Sequence, residues 1–396
     1  MIQINDPIDC CGCSACASVC AHGAITMKPD AEGFLYPQVD KAACTDCGLC
    51  EKVCPVTNMT MPALPMSVCA ARNRKEDIRI QSSSGGIFTL LAEKIIREGG
   101  VVFGAKFDEQ WNVVHASAES SDELRDFRGS KYVQSIIGDT FKEAKRALKQ
   151  GRKVLFSGTP CQIAGLKNYL RKDYDNLLTV GVICHGVPSP LVWQKYLQEV
   201  RKTLRAEHQH PKEKQGQLPE ITAISFRDKK HSWENYEVSL RYTFHEGCEK
   251  EFCQVYTENA YMRGFLSDLY LRPSCHRCPN KGTHTACDIT LGDFWGIKHV
   301  IKSLDDDKGT SALIIHTPKG MAYASAIDME HIDTEYNDVC QYNPALTRSY
   351  EKHRNRKQFF AHMDRFSLRL IEKLLRPTLW ERINHKWYLI KCRFRT

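Results

Sequence analysis

The chain has 396 residues, 42% of them hydrophobic, and a formal charge of +8; that length leaves room for a small module plus a larger α/β unit. Mean hydropathy is −0.42 and no apolar run approaches the roughly 18 residues of a spanning helix, so a soluble protein is expected. The basic residues are spread out rather than gathered on a recognition helix, so no nucleic-acid partner is expected.

The first residues, MIQINDPIDCCGC, have neither a basic n-region nor an apolar h-region, so a cytoplasmic protein without a secretory signal is expected. Nineteen cysteines in that setting point to metal rather than disulfides. Residues 1–58 hold eight of them in two similar runs. Cys10, Cys13, Cys16 and Cys20 follow C-x2-C-x2-C-x3-C, and Cys44, Cys47, Cys50 and Cys54 repeat it. Such spacing lets three thiolates hold one [4Fe-4S] cubane while the fourth reaches the other cluster. The expected sets are Cys10, Cys13, Cys16 and Cys54 for one cluster, and Cys44, Cys47, Cys50 and Cys20 for the other. Zinc sites do not use eight cysteines at this spacing. Pro55 follows the second run, whereas Ala21 follows the first, a change in a turn residue and not in a ligand. Cys11 is an extra thiol outside the pattern and reads as a spare buried one.

Residues 59–66 read as a linker. A larger domain is expected over 67–345. Ile87, Leu90, Leu91 and Ile95 give helical spacing over 86–98, Val101–Phe107 reads as a strand, and 111–118 as its hairpin partner. A helix over 140–150 ends at Gly151, followed by a strand at 153–157 and a helix from Thr159. A strand at 177–184 and a helix over 188–204 continue the alternation, which predicts parallel pairing. Residues 205–219 are polar and predict an exposed loop. Strands are expected at 221–226, 237–244 and 252–257, then a helix over 259–269 and a second cysteine region at 275–296. A strand at 310–316, a helix near 318–328 and a strand at 333–336 complete the domain. The fold class is therefore mixed α+β and α/β: a small two-cluster ferredoxin-like module, then a larger mixed α/β domain. Residues 346–396 read as a basic helical tail. Its last part, 376–396, interleaves aromatics with Lys and Arg, which offers a peripheral contact with an anionic membrane.

Five segments of the larger domain, SSSGGIFTLLAEKII (82–96), GSKYVQS (129–135), FSGTPCQIAGLKNYL (156–170), ICHGVPSP (183–190) and SCHRCPNKGTHTACDITLGDFWGI (274–297), together resemble the coenzyme F420 hydrogenase/dehydrogenase β-subunit family, in the family's order. The resemblance implies FAD, a third [4Fe-4S] cluster and electron exchange between clusters, flavin and a second substrate. Cys161, Cys184, Cys275 and Cys278 match the family's pattern for that cluster, with Cys287 as a competing ligand. A thiolate at Cys161 would also gain from the helix start at Pro160. Three clusters at about −2 each would bring the charge of +8 down to about +2.

With the family in view, Ser83, Ser84, Gly85 and Gly86 become candidates for the flavin pyrophosphate, since a loop opening a helix is an anion site; plain N-capping by serine is the alternative. Ser130, Lys131 and Tyr132, with Asp293 and Trp295, are further cofactor-binding candidates. Lys131 and His185 are candidates for the catalytic role. The expected function is an iron–sulfur flavoprotein oxidoreductase linking a redox partner such as ferredoxin to a small-molecule substrate. The alternatives are an electron-transfer subunit docked to a catalytic partner, and an oxidoreductase acting on F420 itself.

Overall fold

The computed structural model describes residues 1–208, 218–244 and 249–377. Residues 209–217 of the predicted loop, Cys248, Cys392 and residues 378–396 of the basic tail lie outside the described residues.

In the N-terminal module the sequence repeat is also a backbone repeat. The short helices Ala15–Val19 and Leu49–Lys52 each carry the third cysteine of a run. Each is preceded by a left-handed residue at the same place, Ser14 (φ 63°) and Gly48 (φ 71°), and two residues earlier by another, Gly12 and Asp46. Between the runs, β1 (Ile25–Pro29) and β2 (Leu35–Val39) pair as an antiparallel hairpin.

The large domain is built on β3 (Ser67–Asn73), β4 (Val101–Phe107), β5 (Val113–Ala118), β6 (Val154–Gly158) and β7 (Leu177–Val182). A separate antiparallel sheet of β8 (Glu220–Asp228), β9 (Glu237–Thr243) and β10 (Glu249–Val255) follows. Then β11 (Ile289–Asp293), β12 (Ser311–Ile315) and β13 (Met329–Asp333) return to the large sheet, whose order is β13-β3-β12-β11-β7-β6-β4-β5. The predicted parallel pairing holds for β11, β7, β6 and β4, and the outer strands are antiparallel. Parallel strands need both faces covered. Val154 and Phe156 of β6 pack with helices Thr140–Lys149 and Pro160–Leu170, while Leu155 packs with helix Ile87–Arg97 on the other face.

Several expected boundaries move. The strand at 177–184 stops at Val182, leaving Cys184 in the loop beyond. The strand expected at 333–336 lies earlier, as β13, and helix Tyr336–Tyr342 starts there because Glu335 and Asp338 form a capping box. The strand expected at 252–257 begins at Glu249.

Helices Arg356–Ala361 and Leu368–Leu375 bury Phe359, Ile371 and Leu374 against Phe265 and Tyr270. Arg356 also ion-pairs with Glu32 of the module. The linker is fastened too: Ala63 N–H donates to Thr283 O at 3.0 Å and Met66 N–H to Ile315 O at 2.7 Å. His284 Nδ1 lies 3.1 Å from Thr60 O.

The main joint between module and domain is Arg272, which is wholly buried. Its Nε donates to Cys10 O at 2.7 Å, one Nη to Leu35 O at 2.9 Å and the other to Gln134 Oε1 at 3.0 Å. Gln134 Nε2 in turn donates to Cys11 O at 3.1 Å. A Cβ on Gly12 would lie 2.7 Å from both side chains, so only glycine admits the clamp. Arg272→Met, which strands these carbonyls, is expected to destabilise the protein by about 3 kcal/mol, with Arg272→Lys in between, as measured by anaerobic chemical denaturation of the full chain.

Candidate functional site

Cys10, Cys13, Cys16 and Cys54 line one cavity of about 310 Å³, closed by Ile2, Ile4, Met27 and Pro37. Cys10, Cys13 and Cys16 are buried and Cys54 is half-buried, whereas in the other predicted set only Cys50 is buried, Cys20 and Cys44 are half-buried and Cys47 is exposed. The module thus has an inner and an outer side. Backbone N–H groups point at the sulfurs: Ile2 N–H to Cys50 Sγ at 3.2 Å and Asp46 N–H to Cys44 Sγ at 3.4 Å. Among the described residues no three His, Cys, Asp or Glu groups converge on one metal-ion point; the thiols surround wider spaces.

A second cavity, of about 770 Å³, is lined by Cys161, Cys184, Cys275 and Cys278. The topology explains the meeting. β6 and β7 are parallel neighbours with Gly158 opposite Gly181, so the loops leaving them emerge on one edge. Cys161 is the second residue of helix Pro160–Leu170, whose start is held by a Thr159–Gln162 capping box. Cys184 follows β7, and the turn Pro273–Arg277 delivers Cys275 and then Cys278. Val187 N–H donates to Cys275 Sγ at 3.4 Å. Burial pushes the Cys184 thiol up to about 12 and Cys278 up to about 11. Thiols in such surroundings lose their protons to a bound metal rather than to water.

Cys287, the competing ligand, is turned elsewhere. It is buried with Ile163 and Leu166, and a Cβ on Gly181 would lie 2.2 Å from its Sγ. It packs helix against sheet.

His185 lines the second cavity. Its Nε2 is 2.7 Å from Asp268 Oδ1, and its ring stacks on Tyr350 at 4.1 Å. The carboxylate fixes the ring beside Cys184.

The serine loop does something different from capping. Helix Ile87–Arg97 is capped by Gly86 in the left-handed region, without a side-chain bond. Ser83 Oγ instead accepts from Ser130 N–H at 2.6 Å and lies 2.9 Å from Ser130 Oγ. Ser84 Oγ donates to Thr310 O at 2.8 Å, and Gly85 N–H donates to Ser311 Oγ at 2.9 Å. Lys131 Nζ donates to Arg128 O and Gly129 O, and burial pushes it down to about 7.

Four of the candidates, Ser83, Tyr132, Asp293 and Trp295, converge on a residue that the motifs did not single out. Arg227, buried at the end of β8, holds Asp293 by two bonds of 2.9 and 3.2 Å. It reaches Tyr132 Oη at 3.3 Å and Ser83 O at 3.4 Å. Its guanidinium lies over the rings of Tyr236 at 4.0 Å and Trp295 at 5.1 Å. Trp233 donates to Asp293 at 3.0 Å and stacks on Trp295. Arg227 Nε is buried without a partner, a donor that a ligand oxygen or nitrogen would satisfy. Lys229, two residues on, ties Arg79 O, Ser84 O and Lys308 O together. Only the order SFRDKK (225–230), basic residues at a strand end, hinted at either.

Comparison with known proteins follows the same division. Residues 9–58 match a 4Fe-4S dicluster domain. Residues 68–139 match the N-terminal part of the coenzyme F420 hydrogenase/dehydrogenase β subunit, and residues 151–338 its C-terminal part. A subunit of the F(420)H(2) dehydrogenase of Methanosarcina mazei is 23% identical over 331 residues, covering 79% of this chain and 81% of that protein. An uncharacterized protein of Methanocaldococcus jannaschii is 25% identical over 208 residues, 44% of this chain and 56% of its own. A solved chain of the F420-reducing [NiFe] hydrogenase complex from Methanosarcina barkeri aligns at 19% identity with a TM-score of 0.42, covering 72% of this chain and 91% of that one.

The two cavities and the position of Cys287 make a paired expectation. Cys161→Ser lowers bound iron by about four per chain and spares the N-terminal eight, whereas Cys287→Ala leaves iron unchanged; anaerobic iron and sulfide determination on the two variants checks both.

Proposed function

The chain belongs to the coenzyme F420 hydrogenase/dehydrogenase β-subunit family, preceded by a 4Fe-4S dicluster domain, and from that premise we propose that it is an iron–sulfur flavoprotein oxidoreductase with three [4Fe-4S] clusters and one FAD. The observation that carries the proposal is the cavity lined by Cys161, Cys184, Cys275 and Cys278, four thiols brought from three separate segments to one place. Cys10, Cys13, Cys16 and Cys54 would hold the inner N-terminal cluster, and Cys20, Cys44, Cys47 and Cys50 the outer one.

The residues around Arg227 suit a flavin. The guanidinium supplies an unpaired buried donor and a fixed positive charge beside aromatic faces, a combination that binds an anionic, planar group. Asp293 and Trp233 hold that guanidinium in place. Ser83 and Ser130 lock the two loops to each other, and Lys131, pushed down to about 7 by burial, can give or take a proton near neutrality. Bound FAD would supply the change between one-electron and two-electron chemistry. His185, oriented by Asp268, would stand beside the third cluster as a hydrogen-bonding neighbour that tunes it.

The substrate side is drawn from the relatives. The Methanosarcina mazei protein is named as a dehydrogenase subunit, which favours, as a second reading, a chain that works inside a larger redox assembly and exchanges electrons with a partner subunit. F420H2 is then the first substrate to test, with reduced ferredoxin and NAD(P)H beside it.

Anaerobic purification with iron, sulfide and flavin quantified is the direct test. About twelve irons and one FAD per chain support the proposal; eight irons and no flavin overturn it. Bleaching of the flavin by F420H2, by reduced ferredoxin or by NAD(P)H then identifies the donor, and bleaching by none of them in the isolated chain favours the subunit reading. Arg227→Leu is expected to weaken FAD retention by about tenfold to a hundredfold, the equivalent of one charged hydrogen bond, with iron content unchanged.

A further inference from the structure

The two cavities are neighbours, and one residue belongs to both. Cys11 lines the cavity of Cys10, Cys13, Cys16 and Cys54, and it also lines that of Cys161, Cys184, Cys275 and Cys278. Neither set needs it, since each already has four thiols. The repeat of the module makes it stand out. The residue at its place in the second run is Thr45, on the outer side.

The thiol is held where it is. Its side chain packs with that of Cys13 in one buried cluster, against which Cys161 also packs. Its carbonyl is fixed by Gln134, and the next residue, Gly12, fits under Arg272 and Gln134 only because it lacks a Cβ. From the opposite side, helix Pro160–Leu170 presses in at Gly165, where a Cβ would lie 2.8 Å from Cys13 Sγ. Cys11 therefore sits between the two sets of thiols, with its backbone held in place.

We propose that Cys11 is a relay residue whose thiol carries the contact between the inner N-terminal cluster and the third cluster. The proposal rests on the three-cluster reading above, and it orders the path: the cluster of Cys20, Cys44, Cys47 and Cys50 first, then that of Cys10, Cys13, Cys16 and Cys54, then Cys11, then the cluster of Cys161, Cys184, Cys275 and Cys278. Each transfer moves one electron. The donor cluster is oxidised by one, the acceptor is reduced by one, and the Cys11 thiol keeps its proton, with no bond made or broken. Sulfur suits the place because it is large and polarizable and fills the space between the two ligands. From this place its S–H would donate to a neighbouring cluster sulfur, and hydrogen bonds to cluster sulfurs set the reduction potential. A donated bond favours the reduced, more negative state.

The test uses the full chain, loaded and handled anaerobically, as the natural sequence, Cys11→Ala and Cys11→Ser. Iron and sulfide are counted, potentials are read by redox-titrated EPR, and cluster reduction by dithionite is followed by rapid mixing. Expected is about twelve irons in all three. In Cys11→Ala the third cluster is reduced several-fold more slowly and the potential of the Cys13-bearing cluster falls, while that of the outer cluster stays. Cys11→Ser, which keeps a hydroxyl donor, recovers part of both. Unchanged rates and potentials in Cys11→Ala overturn the proposal and leave the thiol as packing. A fall to about eight irons in Cys11→Ala also overturns it, by making Cys11 a ligand. About eight irons in the natural sequence removes the three-cluster reading itself, a failure visible before any variant is compared.

Discussion

The buried guanidinium of Arg272 is the main tie between the two parts of this molecule. Arg272 sits three residues before Cys275 and reaches back to the carbonyls of Cys10 and Leu35. Charge in an apolar interior is tolerated only where hydrogen bonds satisfy it, and here the acceptors come from both sides of the joint, with the Tyr36 ring beneath at 4.3 Å. The distance between the two cysteine cavities follows from that satisfaction. So do the close approach of Gly12 and the seating of Cys11 between them.

Arg227 plays the corresponding part where β8 meets the end of β11. It draws Asp293, Tyr132 and the serine loop around itself, and those groups lie far apart in the chain. The two arginines also bear on the charge balance. A protein that gathers anionic clusters needs fixed cations nearby, and the formal excess of +8 reads better as compensation for bound negative charge than as a surface for a polyanion.

Much of the site was legible in the sequence because cysteine spacing is a covalent constraint. Thiols two and three residues apart confine their sulfurs to one small volume whatever surrounds them. The alternation of helix and strand from 86 to 204 was legible for a similar reason, since periodicity is local. Other features depend on tertiary neighbours and left little trace. β3 is made of SVCAARN, which shows no strand pattern and succeeds because Ala70 and Ala71 are wholly buried between β12 and β13. Cys11 looked superfluous because its second neighbour, Cys161, lies 150 positions away. Ser82–Gly86 offered the sequence two readings, an anion site and a plain cap, and neither foresaw that hydroxyls of Ser83 and Ser84 bond to strands and loops that only the fold brings near.

The fastening of residues 59–66 has a mechanical consequence. A ferredoxin module on a free tether behaves as a swinging carrier, and its delivery rate then depends on tether length and solvent viscosity. Here the tether is bonded to the body at Thr283 and Ile315, and the module is gripped by Arg272 and Arg356 at separate points. It is a fixed terminal. In the function proposed above, a partner exchanging electrons with it would come to the face where Cys47 is exposed, and that encounter, not an excursion of the module, would limit the exchange.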